Sequence, residues 1–180
     1  EGFRRAVAGL VPGESCGDGL AGMRVLLLGA GGGARAVLHA CLQEDVERVD
    51  VLNRTLANAE AAVREVGRGD ERLAVLSHRD DRASRYDLVV NATSLGLAPE
   101  DTLPLDLGEL EVGAAFDLVY GPDGTAWTRH ARRLGVPARD GLEMLVRQAA
   151  ASLRRWIDPE PPVEAMRRAA RSAAGRADES

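Results

Sequence analysis

The 180-residue sequence contains no lysine, and all 23 of its basic side chains are arginine. A chain without lysine cannot form a Schiff base through a lysine amine, supply the lysine of a phosphate-binding P-loop, or use an ammonium group as a proton donor. Aromatic residues are also few, at 3%, although a hydrophobic fraction of 45% is ordinary for a globular chain. The composition therefore predicts a domain with a normal core and excludes three kinds of active site.

The sequence also lacks the usual signs of a metal, membrane or nucleic-acid protein. Cys16 and Cys41 have no metal-ligand spacing, so we expect no metal site. We also expect a reduced, cytoplasmic setting, with a disulfide between the two cysteines as the alternative. No apolar run approaches the roughly 20 residues of a membrane helix, and no signal peptide opens the chain. The net charge of −5 argues against nucleic acid, so Arg167, Arg168 and Arg171 near the C-terminus are predicted to form a solvated face.

Apolar runs of strand length alternate with helical patterns from Met23 onward. Such alternation predicts a parallel sheet covered on both faces, and six strands at this spacing are typical of a dinucleotide-binding fold. We therefore predict an α/β fold with a doubly wound, mostly parallel, six-stranded sheet of Rossmann type. The predicted strands span residues 24–28, 48–52, 73–76, 87–91, 114–119 and 136–138, and the predicted helices span residues 34–43, 56–66, 126–134, 142–156 and 163–174.

The same pattern divides the chain into three regions. Residues 1–22 are predicted to be the end of a helix, up to residue 10, followed by a connector rich in glycine and proline. Residues 23–157 form the predicted Rossmann-type domain. Residues 158–180 are predicted to be a C-terminal helix with a frayed tail.

A glycine-rich segment, Gly29-Ala-Gly-Gly-Gly-Ala34, joins the first predicted strand to the following helix. It matches G-x-G-x-x-(G/A) in the strand–turn–helix context that this motif requires. Gly29 would allow the tight turn, Gly31 would let the backbone approach a pyrophosphate, and Ala34 would permit close helix–strand packing. The helix would then direct free N–H groups and the positive end of its dipole toward the phosphates. The motif predicts a dinucleotide site, with an ordinary glycine-rich turn as the structural alternative.

The residues about twenty positions further on favour NADP over NAD. A dinucleotide-binding fold that prefers NAD usually has an acidic residue here, which accepts a hydrogen bond from the ribose 2′-hydroxyl. This chain has Asn53-Arg54-Thr55 instead. No carboxylate would repel a 2′-phosphate, and the Arg54 guanidinium could bind one with two hydrogen bonds. The alternative is that Arg54 is merely a solvated residue at the start of the next helix.

Five segments in consistent order together resemble the shikimate dehydrogenase family, and the similarity extends from Glu1 to about Trp156. The first two segments are shared with other NADP-binding domains, including that of glutamyl-tRNA reductase, whereas the third and fifth are more specific. The segments are Gly29-Ala-Gly-Gly-Gly-Ala-Arg35, Asn53-Arg-Thr55, Asn91-Ala-Thr-Ser-Leu-Gly96, Asp117-Leu-Val-Tyr120 and Asp140-Gly-Leu-Glu-Met-Leu-Val-Arg-Gln148.

The resemblance implies an NADPH-dependent oxidoreductase that reduces 3-dehydroshikimate to shikimate on the route to chorismate and the aromatic amino acids. The family often has a second arginine at the position of Asn58 and a methionine at the position of Leu118. The implied cofactor residues are Gly29, Ala30, Gly31, Gly32, Gly33 and Ala34 at the pyrophosphate, Asn53, Arg54, Thr55 and Asn58 at the 2′-phosphate, and Thr93, Ser94, Leu118, Gly141 and Met144 at the nicotinamide half. The implied substrate residues are Tyr120 and Gln148.

Helix geometry gives separate support for two of these residues. Met144 and Gln148 are four positions apart and therefore share one face of the predicted helix. Four other residues form an apolar stripe that we predict to pack on the sheet, which would leave Met144 and Gln148 facing the cleft. In the alternative, Met144 fills the core and Gln148 is solvated. The stripe consists of Leu142, Leu145, Ala149 and Trp156.

The chain supplies no candidate for the proton donor that ketone reduction requires. In the family a Lys and an Asp act here, and both precede the segment with which this chain begins, so we expect the N-terminal substrate domain to be absent. His39, His78 and His130 have no carboxylate at a spacing that suggests a dyad.

We therefore predict the NADP-binding domain of a shikimate dehydrogenase, with shikimate or 3-dehydroshikimate as the small-molecule substrate of the whole enzyme. The alternatives are an enzyme that uses NAD(P) with quinate or shikimate, and a non-catalytic module that senses NADP. A homodimer is one of the assemblies that the sequence leaves open.

Overall fold

Six parallel strands form a single sheet in the order β3-β2-β1-β4-β5-β6, so the predicted doubly wound α/β fold is confirmed. The computed structural model of the chain describes residues 2–11, 19–96, 101, 105–156 and 160–176. The strands are β1 (Arg24–Leu28), β2 (Arg48–Leu52), β3 (Leu73–Leu76), β4 (Arg85–Asn91), β5 (Glu111–Asp117) and β6 (Ala138–Arg139). Every neighbouring pair is parallel, where we had predicted a mostly parallel sheet.

The helices connect these strands and cover both faces of the sheet. They are α1 (Gly2–Val7), α2 (Gly32–Leu42), α3 (Leu56–Gly67), α4 (Ala126–Arg133), α5 (Leu142–Leu153) and α6 (Val163–Ala173), with short 3-10 turns at Arg79–Asp81 and Leu107–Glu109. No helix in these described ranges is both long enough and apolar enough to cross a bilayer.

Alternation along the strands divides the core into two layers. In β1, Val25 and Leu27 pack with residues of α1, α2, α3 and α5, whereas Leu26 and Leu28 pack on the opposite face with residues of α4. Successive side chains of a strand point to opposite faces, so a strand buried on both sides is apolar throughout. The Trp127 ring of α4 is fully buried in the second layer and donates a hydrogen bond from Nε1 to the Leu105 carbonyl at 3.0 Å.

The order of the strands places a crevice at one edge of the sheet. The chain runs outward from β1 through β2 to β3, then returns to the other side of β1 as β4. At such a switch point the connections leave β1 and β4 in opposite directions, and ligands of open α/β sheets bind outside the carboxyl ends of these strands. The loops after Leu28 and Asn91 therefore border the expected binding crevice.

Several boundaries differ from the prediction for identifiable local reasons. The predicted fifth strand ends early, at Asp117, because the chain turns toward α4 at the edge of the sheet. The last strand is shorter and lies later than predicted, at Ala138–Arg139 rather than 136–138; Pro137 contributes only a carbonyl, to the Ala115 N–H at 2.9 Å. Most of the predicted connector (11–22) and tail (177–180) lies outside the described residues, as does Cys16, whereas Cys41 is a free, buried thiol.

The predicted apolar stripe of α5 is wrong. Leu142 is buried, but Leu145 and Trp156 are 42% and 85% exposed, and Ala149 is exposed as well. The helix packs against α1 and α6 on its other faces, and Leu145 and Ala149 therefore face solvent. The predicted solvated face of α6 needs a similar correction, because Arg167 is only partly exposed and bonds to Glu143 of α5 at 2.8 Å.

Candidate dinucleotide site at the carboxyl edge of the sheet

Gly29 ends β1 in a backbone conformation that other residues rarely adopt. Its φ is +108°, and a Cβ atom at this position would lie 2.8 Å from the carbonyl oxygen of Ala92. The Gly29 N–H donates to the Leu52 carbonyl at 2.8 Å, and the Ala92 N–H donates to the Leu28 carbonyl at 2.8 Å. The turn after β1 is thus bound to the ends of both neighbouring strands, β2 and β4. Only glycine meets both requirements.

The following glycines leave the N-terminus of α2 open. Gly31 is the N-cap and no side chain bonds to the first turn, while Gly31, Gly32 and Gly33 are exposed. A Cβ atom at Gly31 or Gly32 would meet nothing within 4 Å, whereas one at Gly33 would lie 2.7 Å from Cδ2 of Leu118. The first N–H groups of a helix have no intrahelical partner, and together with the helix dipole they form a site for an anion. Gly33 instead lets Leu118 approach the loop.

The remaining members of the loop hold it in place. Ala34 is fully buried against the sheet, as the motif predicts, and Ala30 is nearly so. The Arg35 guanidinium donates from Nη1 to the Ala30 carbonyl at 2.6 Å and from Nε to Glu65 of α3 at 3.0 Å. Arg35 therefore ties the loop to the neighbouring helix, a role that the sequence motif alone did not reveal.

The Asn53-Arg54-Thr55 segment lies at the carboxyl end of β2, directly after the carbonyl that binds Gly29. Asn53 donates from Nδ2 to the Thr55 carbonyl at 2.8 Å, which shapes the turn into α3. Arg54 and Asn58 are exposed, and the Arg54 guanidinium has no ion pair within the described part of the chain. A free guanidinium therefore stands at the edge of the crevice where a carboxylate would otherwise favour NAD.

A buried polar network fixes the loop that follows β4. The Asn91 side chain accepts from the N–H and the hydroxyl of Thr93, at 3.0 and 2.7 Å, and donates to the Leu95 carbonyl at 3.2 Å. It also donates to Asp117 Oδ1 at the end of β5, at 2.9 Å. Thr93 is thereby held beneath the crevice, and the neighbouring Ser94 is exposed.

Asp117 is the centre of this network and is fully buried. Its carboxylate accepts from the Val119 N–H at 3.1 Å and from the Thr125 hydroxyl at 2.6 Å, in addition to Asn91. Thr125 also closes a capping box with Thr128 at the start of α4. Burial raises the pKa of Asp117 to about 6, although the three hydrogen bonds oppose the shift.

Sequence reasoning missed this network. Its only signal was a polar residue at the carboxyl end of each of two apolar strands, Asn91 and Asp117. Because parallel neighbours bring their carboxyl ends to one edge, such residues are expected to meet there.

The predicted substrate and nicotinamide residues surround the ends of β5 and β6. Tyr120 is 45% exposed, and Gly141 is packed so closely on the Leu118 carbonyl that it has no room for a side chain. On α5, Met144 is 7% exposed and belongs to the core, while Gln148 is exposed. This agrees with the alternative in which Met144 fills the core and Gln148 is solvated. The contacts of both side chains with cofactor or substrate stay predictions.

One histidine has a carboxylate neighbour that the sequence spacing does not indicate. His130 Nε2 lies 3.0 Å from Oδ1 of Asp106, a residue that is distant in sequence and caps the Leu107–Glu109 turn. The pair bridges that turn to α4 and is unconnected with the glycine loop. Within the described residues, no group of three or more His, Cys, Asp or Glu side chains could hold a metal ion.

Comparison with known proteins agrees with this geometry. Residues 13–98 match the family model "Shikimate / quinate 5-dehydrogenase", and residues 141–171 match "Shikimate 5'-dehydrogenase C-terminal domain". The chain belongs to the shikimate dehydrogenase family. The shikimate dehydrogenase (NADP(+)) of Alkalilimnicola ehrlichii is 45% identical over 158 residues, which cover 84% of this chain and 57% of that relative.

Solved structures of the family have the same fold. A Thermus thermophilus shikimate 5-dehydrogenase in complex with NADP(H) and shikimate is 36% identical, with a TM-score of 0.75, over 96% of this chain and 60% of that one. A Corynebacterium glutamicum quinate dehydrogenase in complex with NAD is 28% identical, with a TM-score of 0.78, over 93% of this chain and 59% of that one. The chain spans about half the length of the curated relatives that it matches.

The buried carboxyl predicts a specific pH dependence. Because the pKa of Asp117 is higher in the folded state than in the unfolded state, its contribution to the free energy of unfolding is largest at low pH and is lost as the pH rises to about 6. Between pH 5 and pH 7.5 the wild type should therefore lose about 1 kcal/mol more of its free energy of unfolding than Asp117→Asn, which has no carboxyl group to ionise. Urea unfolding at the two pH values measures this difference, and the exposed Asp123→Asn is the control. An equal pH response of wild type and Asp117→Asn would contradict the assignment.

Proposed function

We propose that this chain is the NADP(H)-binding domain of a shikimate dehydrogenase that reduces 3-dehydroshikimate to shikimate. The observation that supports this most strongly is the open N-terminus of α2 at the switch point of the sheet, in a chain of this family. The relatives named shikimate dehydrogenase (NADP(+)) and the T. thermophilus complex support the choice of substrate and cofactor.

The pyrophosphate would be bound by backbone N–H groups at the start of α2. The open space before Gly31 and Gly32 fits a close approach of phosphate oxygens, and the exposed loop has no carboxylate that would repel them. Beside the loop, the Arg54 guanidinium would bind the 2′-phosphate, with Asn53 and Thr55 shaping the turn. Asn58 offers an amide where the family often has a second arginine, so the 2′-phosphate would depend mainly on one guanidinium.

The nicotinamide half would lie at the ends of β4, β5 and β6. When bound, NADPH supplies the hydride that reduces the ketone. Thr93, held by Asn91, and Leu118, held against Gly33 and Gly141, would form the floor of this part of the crevice. Tyr120 and Gln148, both exposed, would be available to hydrogen-bond the substrate.

The proton donor for the reduction is proposed to lie outside this chain. Reduction of a ketone requires a group that protonates the developing alkoxide, and the family resemblance assigns this role to a Lys and an Asp outside the matched segments. We propose that they lie in a substrate domain outside this chain, which has no lysine of its own. A cytoplasmic location and a homodimer also remain proposals.

Turnover tests the proposed activity. The intact gene product should reduce 3-dehydroshikimate with NADPH, followed by the loss of absorbance at 340 nm. The 180-residue chain alone should bind NADPH in calorimetry but give no turnover, because it lacks the proton donor. Binding without turnover by the intact product would favour the NADP-sensing module instead. Turnover by the chain alone would contradict the proposed absence of the proton donor.

Cofactor choice is tested at Arg54. The C. glutamicum quinate dehydrogenase with NAD makes an NAD-using enzyme the second candidate. Arg54→Ala should weaken NADPH binding about tenfold or more and leave NADH binding almost unchanged, because only NADPH has the 2′-phosphate. Calorimetry with both cofactors measures the effect, and Arg155→Ala, at another exposed arginine, is the matched control. Equal losses for both cofactors, or no loss, would favour the NAD-using alternative.

A further inference from the structure

A second site candidate lies beside α5, away from the glycine loop. A cavity of about 320 Å³ opens between α4, β6, α5 and α6. Among the described residues, its lining has five arginine side chains and two carboxylates, which come from Asp140 and Glu143. The arginines are Arg132, Arg139, Arg167, Arg171 and Arg176. The cavity is half open to solvent, and its positive lining contrasts with the net charge of −5 of the whole chain.

Both carboxylates of the cavity are already bound to arginines. Arg167 donates from Nε and Nη2 to the two oxygens of Glu143, each at 2.8 Å. Arg176 forms an ion pair with Asp140 and donates to the Gly121 carbonyl at 2.9 Å from Nε. These two pairs neutralise two of the five positive charges.

Two of the remaining arginines are fixed by backbone carbonyls alone. Arg132 donates from Nε and Nη2 to the Ala138 carbonyl, at 3.3 and 2.9 Å. Arg139 donates from Nη1 to the carbonyls of Ala6 and Ala8, at 3.1 and 3.0 Å. A carbonyl orients a guanidinium without neutralising it, and each guanidinium has five N–H groups. Arg132 and Arg139 are exposed, so they keep both charge and donors for a ligand that enters the cavity.

The cavity is separate from the proposed NADP(H) site. On α5 it is lined by Leu142, Glu143 and Val146, whereas the predicted cofactor and substrate residues of this helix are Met144 and Gln148. Because an α-helix turns about 100° per residue, Leu142 and Val146 lie on the face opposite Met144 and Gln148. None of the residues of the glycine loop or of the Asn53–Thr55 turn contributes to the lining.

We propose that this cavity binds a compact polyanion, a metabolite with at least two phosphoryl or carboxylate groups. Guanidinium groups bind both kinds of group with paired, charge-assisted hydrogen bonds. The volume is at the lower end of the range for small-molecule sites, which suits a ligand of the size of pyrophosphate or citrate. A bound anion would join α4, β6 and α6, and would therefore stabilise the packing of α6 on α5.

Inorganic pyrophosphate and citrate are the two probes for this site. Calorimetry and thermal unfolding of the 180-residue chain, at constant ionic strength, should show saturable binding of at least one of them. The stronger binder identifies phosphoryl or carboxylate as the preferred group, and either result supports the proposal. Absence of saturable binding of both probes would overturn it.

Variants distinguish the cavity from the glycine loop and from general charge. Arg132→Gln with Arg139→Gln should weaken binding about tenfold, whereas Arg132→Lys with Arg139→Lys, which keeps the charge but loses the paired hydrogen bonds, should weaken it by less. Arg133→Gln with Arg155→Gln removes the same charge from exposed positions outside the cavity and should have little effect. The far-UV circular dichroism spectrum and NADPH binding of each variant verify that it is folded.

Two outcomes would overturn the assignment to the cavity. Equal weakening by the paired control variants would mean that only net charge matters. Loss of probe binding in the presence of saturating NADPH, with normal binding when both Arg132 and Arg139 are glutamine, would place the anion in the dinucleotide site. The NADPH measurement is independent of these results, so the proposed function stands or falls separately.

Discussion

The carboxyl edge of the sheet depends on one backbone constraint, the left-handed conformation of Gly29 in contact with Ala92. Because no side chain separates these two segments, the loop after β1 can lie directly against the end of β4. The same residue bonds to the end of β2, so three strands converge on one turn. From that turn α2 starts at a defined angle, with its first N–H groups free and facing open space. The proposed chemistry of the loop is therefore a consequence of backbone geometry rather than of any reactive side chain.

The other half of the crevice is organised by a buried carboxylate. Asp117 accepts hydrogen bonds from the end of β4, from the turn after β5 and from the cap of α4, and so joins three elements that carry different parts of the proposed site. Removing a carboxylate from water is costly, and its raised pKa reflects that cost. A network of this kind specifies one arrangement of loops more strictly than apolar packing would.

The sequence was informative wherever local pattern and covalent geometry decide the structure. The bounds of β1, β2 and β3 agree with the prediction to the residue, since each is an apolar run between clear turns. It was less informative where several neighbours compete for one surface. Leu145 of α5 is exposed because α1 and α6 pack on other faces of the helix, and Trp156 lies in the turn beyond its end. The pairing of Asn91 with Asp117, and of Arg167 with Glu143, requires knowledge of which elements are neighbours. No local pattern contains that information.

The central claim is that the backbone of the glycine loop both closes the turn and binds the pyrophosphate, with the two tasks assigned to different glycines. The most direct test compares Gly29→Ala with Gly31→Ala by urea unfolding and by NADPH calorimetry. Gly29→Ala should lower the free energy of unfolding by about 2 kcal/mol or more, because of its φ of +108° and the contact with Ala92. Gly31→Ala should leave the free energy of unfolding nearly unchanged, since a Cβ there meets nothing, yet weaken NADPH binding about tenfold. Unchanged NADPH binding by a folded Gly31→Ala variant would contradict the account.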